Sequence, residues 1–269
     1  MPRRTRLDAE LVRRGLARSR EHASQLIADG RVTVRGTVAG KPATGVETDA
    51  AVVVREQDGD DWASRGAHKL IGALDAFGLS VEARRCLDAG ASTGGFTEVL
   101  LDRRAREVVA VDVGYGQLAW SLRNDMRVTV LERTNVRELT ADAIGGPVDL
   151  VVADLSFISL ATVLPALTSC ASGDADIVPM VKPQFEVGKD RVGAGGVVSD
   201  PDVRAAAVLA VAHRAAELRW QTVGVTASPL PGPSGNVEYF LHLRAGTDGP
   251  LQGERLERAV HQAVAQGPQ

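Results

Sequence analysis

Four ionisable residues lie where an active site is expected. Asp154 and Lys182 each follow directly after an apolar run, Lys69 opens a helical stretch, and Glu238 lies at the start of the last apolar strand. Ligands of open α/β sheets bind beyond the carboxyl ends of the strands, so Asp154 and Lys182 are expected to point into one crevice. A buried lysine needs a partner, and Asp154 is the natural one. Such groups could position a substrate hydroxyl or accept its proton, although Glu238 could equally face solvent.

A glycine-rich turn between an apolar strand and a helix is the strongest local motif. It reads D-A-G-A-S-T-G-G-F, with Asp88 two residues before the first glycine. The glycines let the backbone approach a ligand closely, and the following helix N-terminus favours a negatively charged group. A nicotinamide enzyme would show G-x-G-x-x-G here to hold a pyrophosphate. The observed spacing suits a carboxylate and an ammonium, as in the methionine part of S-adenosylmethionine.

An acid at the end of the next strand, Asp112, can accept hydrogen bonds from both hydroxyls of an adenosine ribose. The alternative is a purely structural glycine turn accompanied by a chance acid. We predict that the cofactor is bound by Asp88, Gly90, Ala91, Ser92, Thr93, Gly94, Gly95, Phe96, Asp112, Val113 and Asn135.

Strands and helices alternate along most of the chain. Strand-like runs lie near residues 85–90, 107–113, 127–131, 148–154, 176–182, 220–227 and 237–243, and helical runs near 66–77, 94–104, 116–123, 159–170 and 202–218. This alternation predicts an α/β fold with a mostly parallel sheet covered by helices on both faces. Seven strands, the last two close together, match the methyltransferase variant of the Rossmann-like sheet.

The net charge of −3 conceals a basic N-terminal segment. Residues 1–41 contain ten Lys/Arg and four Asp/Glu, so this segment carries +6 and the remainder −9. The runs R-L-D-x-x-L-V-R-R-G-L-A-x-S-R and I-x-x-G-R-V-x-V-x-G resemble the αL RNA-binding fold of the ribosomal-protein-S-four type. The segment is expected to bind a polyanion, with a solvated basic face as the alternative. The arginines expected to bind RNA are Arg3, Arg4, Arg6, Arg13, Arg14, Arg18 and Arg20.

These features divide the chain into four parts. Residues 1–60 are the predicted S-four-like RNA-binding domain, 61–65 a linker, 66–246 an S-adenosylmethionine-dependent methyltransferase domain, and 247–269 a C-terminal helix or tail. Two cysteines in apolar contexts and five scattered histidines indicate free thiols and no metal site. No apolar run approaches the roughly 20 residues of a membrane span, and no signal-peptide pattern is visible. We therefore expect a cytoplasmic protein with no membrane partner.

The motifs around the ionisable residues carry a specific resemblance to a known family. The strings S-R-G-A-H-K-L, D-A-G-A-S-T-G-G-F-T, D-V-G-Y-G-Q-L, D-L-S-F-I-S-L, K-P-Q-F-E and G-N-V-E-Y-F are similar to those of the TlyA family of rRNA cytidine methyltransferases, also called haemolysin A. Lys69, Asp154, Lys182 and Glu238 resemble the Lys-Asp-Lys-Glu tetrad of ribose 2′-O-methyltransferases. The resemblance implies 2′-O-methylation of cytidine in 16S and/or 23S rRNA, S-adenosylmethionine as methyl donor and ribosomal subunits as partners.

Methyl transfer to a 2′-hydroxyl needs alignment and a proton acceptor, which predicts a role for three members of the tetrad. Lys182 would be the base for the 2′-hydroxyl or the group that positions it, Asp154 would orient Lys182, and Glu238 would hold Lys69. A lysine acts as a base only if its pKa falls, which burial and the charge of Lys69 would favour and Asp154 would oppose. Residues 188–196 form a glycine-rich loop that either contacts RNA or is passive. The target nucleotide is expected to be extruded on binding.

Three other function classes compete with this interpretation. A nicotinamide-dependent dehydrogenase would need the G-x-G-x-x-G spacing. A non-catalytic RNA-binding protein would explain the basic segment but not the charged residues at the strand ends. A secreted haemolysin-type protein would need an export signal or a membrane-competent segment, and the sequence shows neither.

Overall fold

The computed structural model describes residues 4–17, 20–28, 30–54, 62–232, 234–246 and 249–268. The chain divides into two units, Met1–Asp61 and Trp62–Gln269. Cys86 and Cys170 are both buried and free. None of the helices in the described ranges combines the length and apolar content that crossing a bilayer requires.

The first unit combines two helices with short strands. Its elements are β1 (Arg4–Arg6), α1 (Leu7–Arg13), α2 (Arg20–Ala28), β2 (Val32–Val34), β3 (Thr37–Val38), β4 (Gly45–Glu47) and β5 (Val52–Val54). β1 pairs with β4, and β2 lies between β3 and β5, all antiparallel. Leu7 and Leu11, four residues apart on one face of α1, pack with Leu26 and Ile27 of α2 and with Val32. This small core fixes the two helices, which carry Arg13 and Arg20 of the predicted RNA-binding arginines.

The second unit alternates strands and helices. Its elements are α3 (Gly66–Phe77), β6 (Arg85–Ala89), α4 (Gly95–Asp102), β7 (Glu107–Val111), α5 (Trp120–Arg123), β8 (Val128–Leu131), β9 (Val148–Ala153), α6 (Leu160–Cys170), β10 (Ala171–Val181), α7 (Pro183–Glu186), α8 (Pro201–Glu217), β11 (Trp220–Ala227), β12 (Tyr239–Ala245) and α9 (Glu254–Gln266). The seven-stranded sheet has the order β11-β12-β10-β9-β6-β7-β8, in which β12 runs antiparallel to both its neighbours. The predicted α/β fold with a mostly parallel sheet is confirmed.

The sheet is covered on both faces, which explains why its central strands are almost wholly apolar. Successive residues of a strand point to opposite faces, so Cys86 and Leu87 belong to different apolar clusters. The cluster of Leu87 includes residues of α6, α8 and α9, whereas the cluster of Cys86 includes residues of α3 and α4. In α9, Leu256 and Val260 are buried in the first of these clusters.

Some elements begin at other positions than the sequence predicts. The helix expected near 116–123 begins only at Trp120, because Gly116 has a φ of 68° and its N–H is bonded to the Glu132 carboxylate. β10 begins at Ala171, directly after α6, and not near residue 176. The short helix α7 after Lys182 is not anticipated.

Candidate active site

The carboxyl ends of the central strands meet at one edge of the sheet. The last residues of β6, β7 and β9 lie opposite one another in the strand register. Gly90, Asp112 and Asp154, which follow these strands, therefore lie at the same edge. The last residue of β10 lies opposite the first residue of β12, which brings Lys182 beside Glu238. The fold thus gathers the predicted cofactor turn and the predicted catalytic residues.

The four predicted catalytic residues form two ion pairs. Lys182 Nζ lies 2.6 Å from Asp154 Oδ1 and 3.0 Å from Ser156 Oγ. Lys69 Nζ lies 2.5 Å from Glu238 Oε2, and both of these side chains are buried. Burying such charges is tolerated only when each has a well-placed partner, because desolvation costs several kcal/mol per ion. Glu238 therefore faces Lys69, and the alternative of a solvent-facing glutamate is excluded.

The contacts of Lys182 leave part of its hydrogen-bonding capacity unused. A lysine ammonium has three N–H donors. One of them donates to Ser156, and the ammonium also lies at ion-pair distance from Asp154, so N–H capacity remains for a substrate oxygen. Lys69 forms its own ion pair with Glu238, so its positive charge is not left unpaired beside Lys182.

A half-buried glutamate joins the segment of Lys182 to the segment of Asp154. Glu186, at the end of α7, accepts a hydrogen bond of 2.6 Å from Ser159 Oγ and one of 2.8 Å from the backbone N–H of Leu160. These two donors lie at the N-terminus of α6, whose first turn needs such acceptors. Burial raises the pKa of Glu186, while the two hydrogen bonds oppose that shift. The sequence does not single out this contact.

An exposed aromatic ring, that of Phe157, lies in the segment that follows Asp154. Phe157 is 92% exposed and has a φ of 63°, a left-handed conformation that is rare for a bulky residue. Its ring centroid lies 5.2 Å from that of Phe185, and Lys182 Nζ lies 5.9 Å from the Phe185 centroid. The sequence signal for Phe157 is its place three residues after Asp154 in a turn, but its exposure follows only from the backbone geometry.

The glycine turn needs its glycines for close packing. Gly90 has a φ of 91°, and a Cβ there would lie 2.4 Å from the carbonyl oxygen of Asp154. Gly94 has a φ of 104°, and a Cβ there would lie 2.2 Å from Leu122 Cδ1. Gly95 is equally tight, because its Cβ would lie 2.2 Å from Ser64 Oγ. The turn is therefore held close to the Asp154 segment.

Asp88 lies beneath this turn, with its side chain fully buried. Thr97 Oγ1 donates a 2.7 Å hydrogen bond to Asp88 Oδ2, and Oδ1 has no hydrogen-bond partner among the described residues. Burial raises the pKa of Asp88 to about 7; the hydrogen bond from Thr97 opposes the shift, and the charges of Asp154 and Asp112 add to it. A cofactor role of Asp88 would thus be exerted through the turn above it.

A shallow cleft opens beside the turn. Asp112 stands in it, accepting hydrogen bonds from the backbone N–H groups of Ser92 (2.8 Å) and Gly114 (2.6 Å). The full lining is Ala91, Ser92, Ala110, Asp112, Gly114, Gln117, Leu118, Val130 and Glu132. Of these, only Ala91, Ser92 and Asp112 are predicted from the sequence; the residues not predicted are Ala110, Gly114, Gln117, Leu118, Val130 and Glu132. Glu132 could have been, because like Asp112 it is an acid directly after an apolar strand.

The remaining predicted cofactor residues lie elsewhere. Phe96 is buried, with its ring centroid 6.2 Å from that of Phe240, which gives it a packing contact. Thr93 Oγ1 donates to the carbonyl of Ala63 at 3.1 Å. The cleft lining does not include Val113, which is exposed, or Asn135, whose side chain caps a short turn at Arg137.

In the first unit, the predicted RNA-binding arginines surround two buried acids. Asp8 bonds Arg6 and Arg20, and Glu10 bonds Arg13 and Arg14. Arg4 is mostly exposed, 3.8 Å from Glu47. Arg3 and Arg18 lie outside the described residues. Because most of these guanidinium groups remain exposed, they stay candidates for RNA contact.

Comparison with known proteins agrees with this architecture. Residues 62–245 match the FtsJ-like methyltransferase family, and residues 5–52 match the S4 domain. A Mycobacterium tuberculosis protein named 16S/23S rRNA (cytidine-2'-O)-methyltransferase TlyA is 70% identical over 268 residues, 100% of both chains. Hemolysin A of Brachyspira hyodysenteriae is 36% identical over 88% of this chain and 99% of its own.

Similarity extends to a solved structure. The protein described as "Putative hemolysin from Streptococcus thermophilus" is 34% identical, with a TM-score of 0.76, and the match covers 99% of this chain and 97% of that one. The chain therefore belongs to the FtsJ-like methyltransferase family, within the group of the TlyA proteins, and is a methyltransferase that carries an S4 domain.

Proposed function

We propose that this protein transfers the methyl group of S-adenosylmethionine to the 2′-hydroxyl of a cytidine in ribosomal RNA. The observation that carries the proposal is the Lys182–Asp154 and Lys69–Glu238 pairs at the sheet edge that also bears the glycine turn. The name of the M. tuberculosis relative supports cytidine as the nucleoside and both 16S and 23S rRNA as substrates.

The residues that line the cleft suit the adenosine part of S-adenosylmethionine in their chemistry. An Asp112 carboxylate has about four lone-pair directions, and two backbone donors occupy two of them. The others are available for the two ribose hydroxyls. Leu118 and Val130 offer apolar surface to the adenine ring, and Gln117 a polar edge. When bound, the cofactor supplies an electrophilic methyl group.

The residues of the tetrad align the 2′-hydroxyl of the substrate and accept its proton. Alignment of two reacting groups can account for roughly 7–11 kcal/mol of a barrier. Lys182 is held between Asp154 and Ser156, so of its two predicted roles these contacts favour positioning. Its remaining N–H capacity would hold the 2′-oxygen, and the Asp154 carboxylate would accept the hydroxyl proton. The cofactor would supply the methyl group, whose bond to the sulfonium sulfur breaks as the bond to oxygen forms, and would leave as a neutral thioether. The Glu238 carboxylate holds Lys69 in place.

The exposed ring of Phe157 supplies a surface for the target base. A base that has left its helix stacks readily on an aromatic ring. Phe157 lies in the segment that carries Asp154 and Ser156, so a base stacked on it would keep its ribose near Lys182.

The N-terminal unit and its net charge favour a large RNA partner. We infer that the S4 domain holds the ribosomal RNA by its phosphates, through its exposed arginines, while the methyltransferase domain acts on one ribose. Ribosomal subunits are then the physiological partners, and the cytoplasm is where the protein meets them.

Methylation of purified ribosomal subunits tests the proposal. With radiolabelled S-adenosylmethionine, the wild-type protein should label rRNA at ribose 2′-oxygens of cytidine, located by primer extension. Lys182→Ala should lower turnover by about a hundredfold or more, because the hydroxyl is no longer positioned. Its affinity for S-adenosylmethionine, measured by calorimetry, should stay near that of the wild type.

Arg214→Ala is the control, because Arg214 lies on α8 in an exposed pair with Glu217. It should turn over like the wild type. Retained turnover in Lys182→Ala would remove Lys182 from the mechanism. Wild-type protein that labels no ribose would overturn the proposed function itself.

A further inference from the structure

One buried carboxylate in the first unit holds two of its exposed arginines. Arg6 donates to Asp8 from Nε (3.1 Å, to Oδ1) and from Nη2 (2.9 Å, to Oδ2). Arg20 Nη2 donates to the same Oδ2 at 2.9 Å. The Asp8 side chain is 4% exposed, whereas those of Arg6 and Arg20 are 52% and 61% exposed.

The shared oxygen keeps the two guanidinium groups close together. Because both Nη2 atoms contact one oxygen of Asp8, the groups lie within reach of a single phosphate. At this distance the two guanidinium groups repel each other, and the negative charge of the Asp8 carboxylate between them offsets that repulsion. The two arginines in turn hold the pKa of Asp8 well below its usual range, so Asp8 keeps its charge. Each arginine has five N–H donors, and within the part of the chain that the structure describes only Asp8 is recorded as their side-chain acceptor.

The neighbouring acid, Glu10, is used differently. It bonds Arg13 and Arg14, which lower its pKa to about 2. Arg14 is only 20% exposed and also donates to the backbone carbonyls of Ala50 (2.7 Å) and Thr48 (3.0 Å). Arg14 therefore ties α1 to the loop after β4, whereas Arg6 and Arg20 present their donors to solvent.

We propose that Asp8 is a positioning residue that assembles Arg6 and Arg20 into one binding site for an RNA backbone phosphate. Arginine pairs bind phosphate by parallel N–H···O bonds, which require the planar groups to be held in place. Asp8 supplies this order before RNA arrives, which reduces the entropy lost on binding. The inference rests on the proposed function, because it assumes that the S4 domain holds rRNA.

The sign of one mutational effect tests the proposal. Asp8→Asn removes one negative charge, so the net charge rises by one. If only net charge matters, this variant should bind RNA more strongly than the wild type. If Asp8 positions the arginines, the same change should weaken binding by about tenfold, because the charge-assisted bonds that fix them are lost. Asp49→Asn is the matched control: Asp49 is exposed in the turn before β5, so its neutralisation should leave binding unchanged or slightly stronger.

The measurement is the dissociation constant of the full chain for fluorescently labelled rRNA, as a function of salt concentration. Positioning also predicts that Asp8→Asn lowers the salt slope, since a phosphate contact is lost. In methylation assays the KM for rRNA should rise by a larger factor than kcat falls. Binding by Asp8→Asn as tight as by Asp49→Asn, with the wild-type salt slope, would overturn the proposal.

A second variant covers the case that Asp8→Asn loses its fold, which circular dichroism and thermal unfolding would reveal. Arg6→Lys keeps the net charge and the core but removes the planar group that Asp8 orients. It should weaken rRNA binding about tenfold, and wild-type affinity in this variant would overturn the proposal. If the wild-type protein itself neither binds nor methylates rRNA, the proposed function fails, and that outcome is distinct from the failure of Asp8 positioning.

Discussion

At the scale of single residues, Asp88 sets a pH dependence for the methyltransferase unit. Its pKa is raised to about 7, chiefly by burial, from an ordinary value of 3.8. The folded protein therefore binds more protons at this site than the unfolded chain does between pH 4 and pH 7. The contribution of Asp88 to stability must fall as the pH rises through that window, by about 4 kcal/mol in total.

Asp88→Asn should remove this dependence, because asparagine can still accept the hydrogen bond from Thr97 but does not ionise. The variant should exceed the wild type in free energy of unfolding at pH 7.5, and the difference should vanish near pH 4. Urea unfolding at a series of pH values measures it, with Glu82→Gln, an exposed acid, as the control. A difference that is the same at every pH would show that Asp88 is not the titrating group.

Single residues also show which parts of the site can be predicted from the sequence. Asp154 and Lys182 can be identified because a charge directly after an apolar strand has few structural reasons to be there. Phe157 cannot, because its exposure follows from a left-handed φ that no local pattern requires. Asp88 is recognisable as part of the turn, but only the packing of α4 against β6 shows that Thr97 lies over it.

At the scale of elements, Glu186 hydrogen-bonds α7 to the N-terminus of α6. This joint between the two helices fixes the positions of Lys182 and Asp154 relative to each other. Lys182 precedes α7, and Asp154 and Phe157 precede α6, so a shift between these helices would separate the lysine from its partner. Glu186→Ala should lower kcat by about tenfold or more while changing KM little, since misplacement by about 1 Å can cost a hundredfold. Glu186→Gln, which can keep one of the two hydrogen bonds, should recover part of the loss.

A double-mutant cycle with Ser159→Ala separates positioning from general damage. The effects of Glu186→Ala and Ser159→Ala on kcat should be less than additive, because the two variants remove the same 2.6 Å hydrogen bond. Additive effects, or wild-type kcat in Glu186→Ala, would contradict the role assigned to this joint.

The order of elements follows from the sequence more fully than their joints do. Apolar runs such as residues 150–153 are buried on both faces, which requires a helix-covered parallel sheet. Glu186 and Ser159, in contrast, are 27 residues apart, and no periodic pattern links them. The late start of α5 depends on Gly116 and on the Glu132 carboxylate of a different strand end.

At the scale of the whole molecule, the uneven charge predicts how RNA binding responds to salt. Residues 1–41 carry +6 and the rest of the chain −9, so attraction to phosphate should come from the N-terminal unit. With about four phosphates contacted, the affinity for rRNA should fall about a hundredfold between 50 and 200 mM salt. Binding of S-adenosylmethionine, which is not a polyanion, should change little over the same range.

Two single neutralisations locate that attraction. Arg4→Gln removes an exposed charge of the first unit, and Arg214→Gln removes one of the second. The slope of log Kd for rRNA against log salt should decrease by about one for Arg4→Gln and stay unchanged for Arg214→Gln, because counterions are released only where phosphate is bound. Equal effects of the two variants would mean that the RNA is held over both units, and the charge asymmetry would then have no part in recognition.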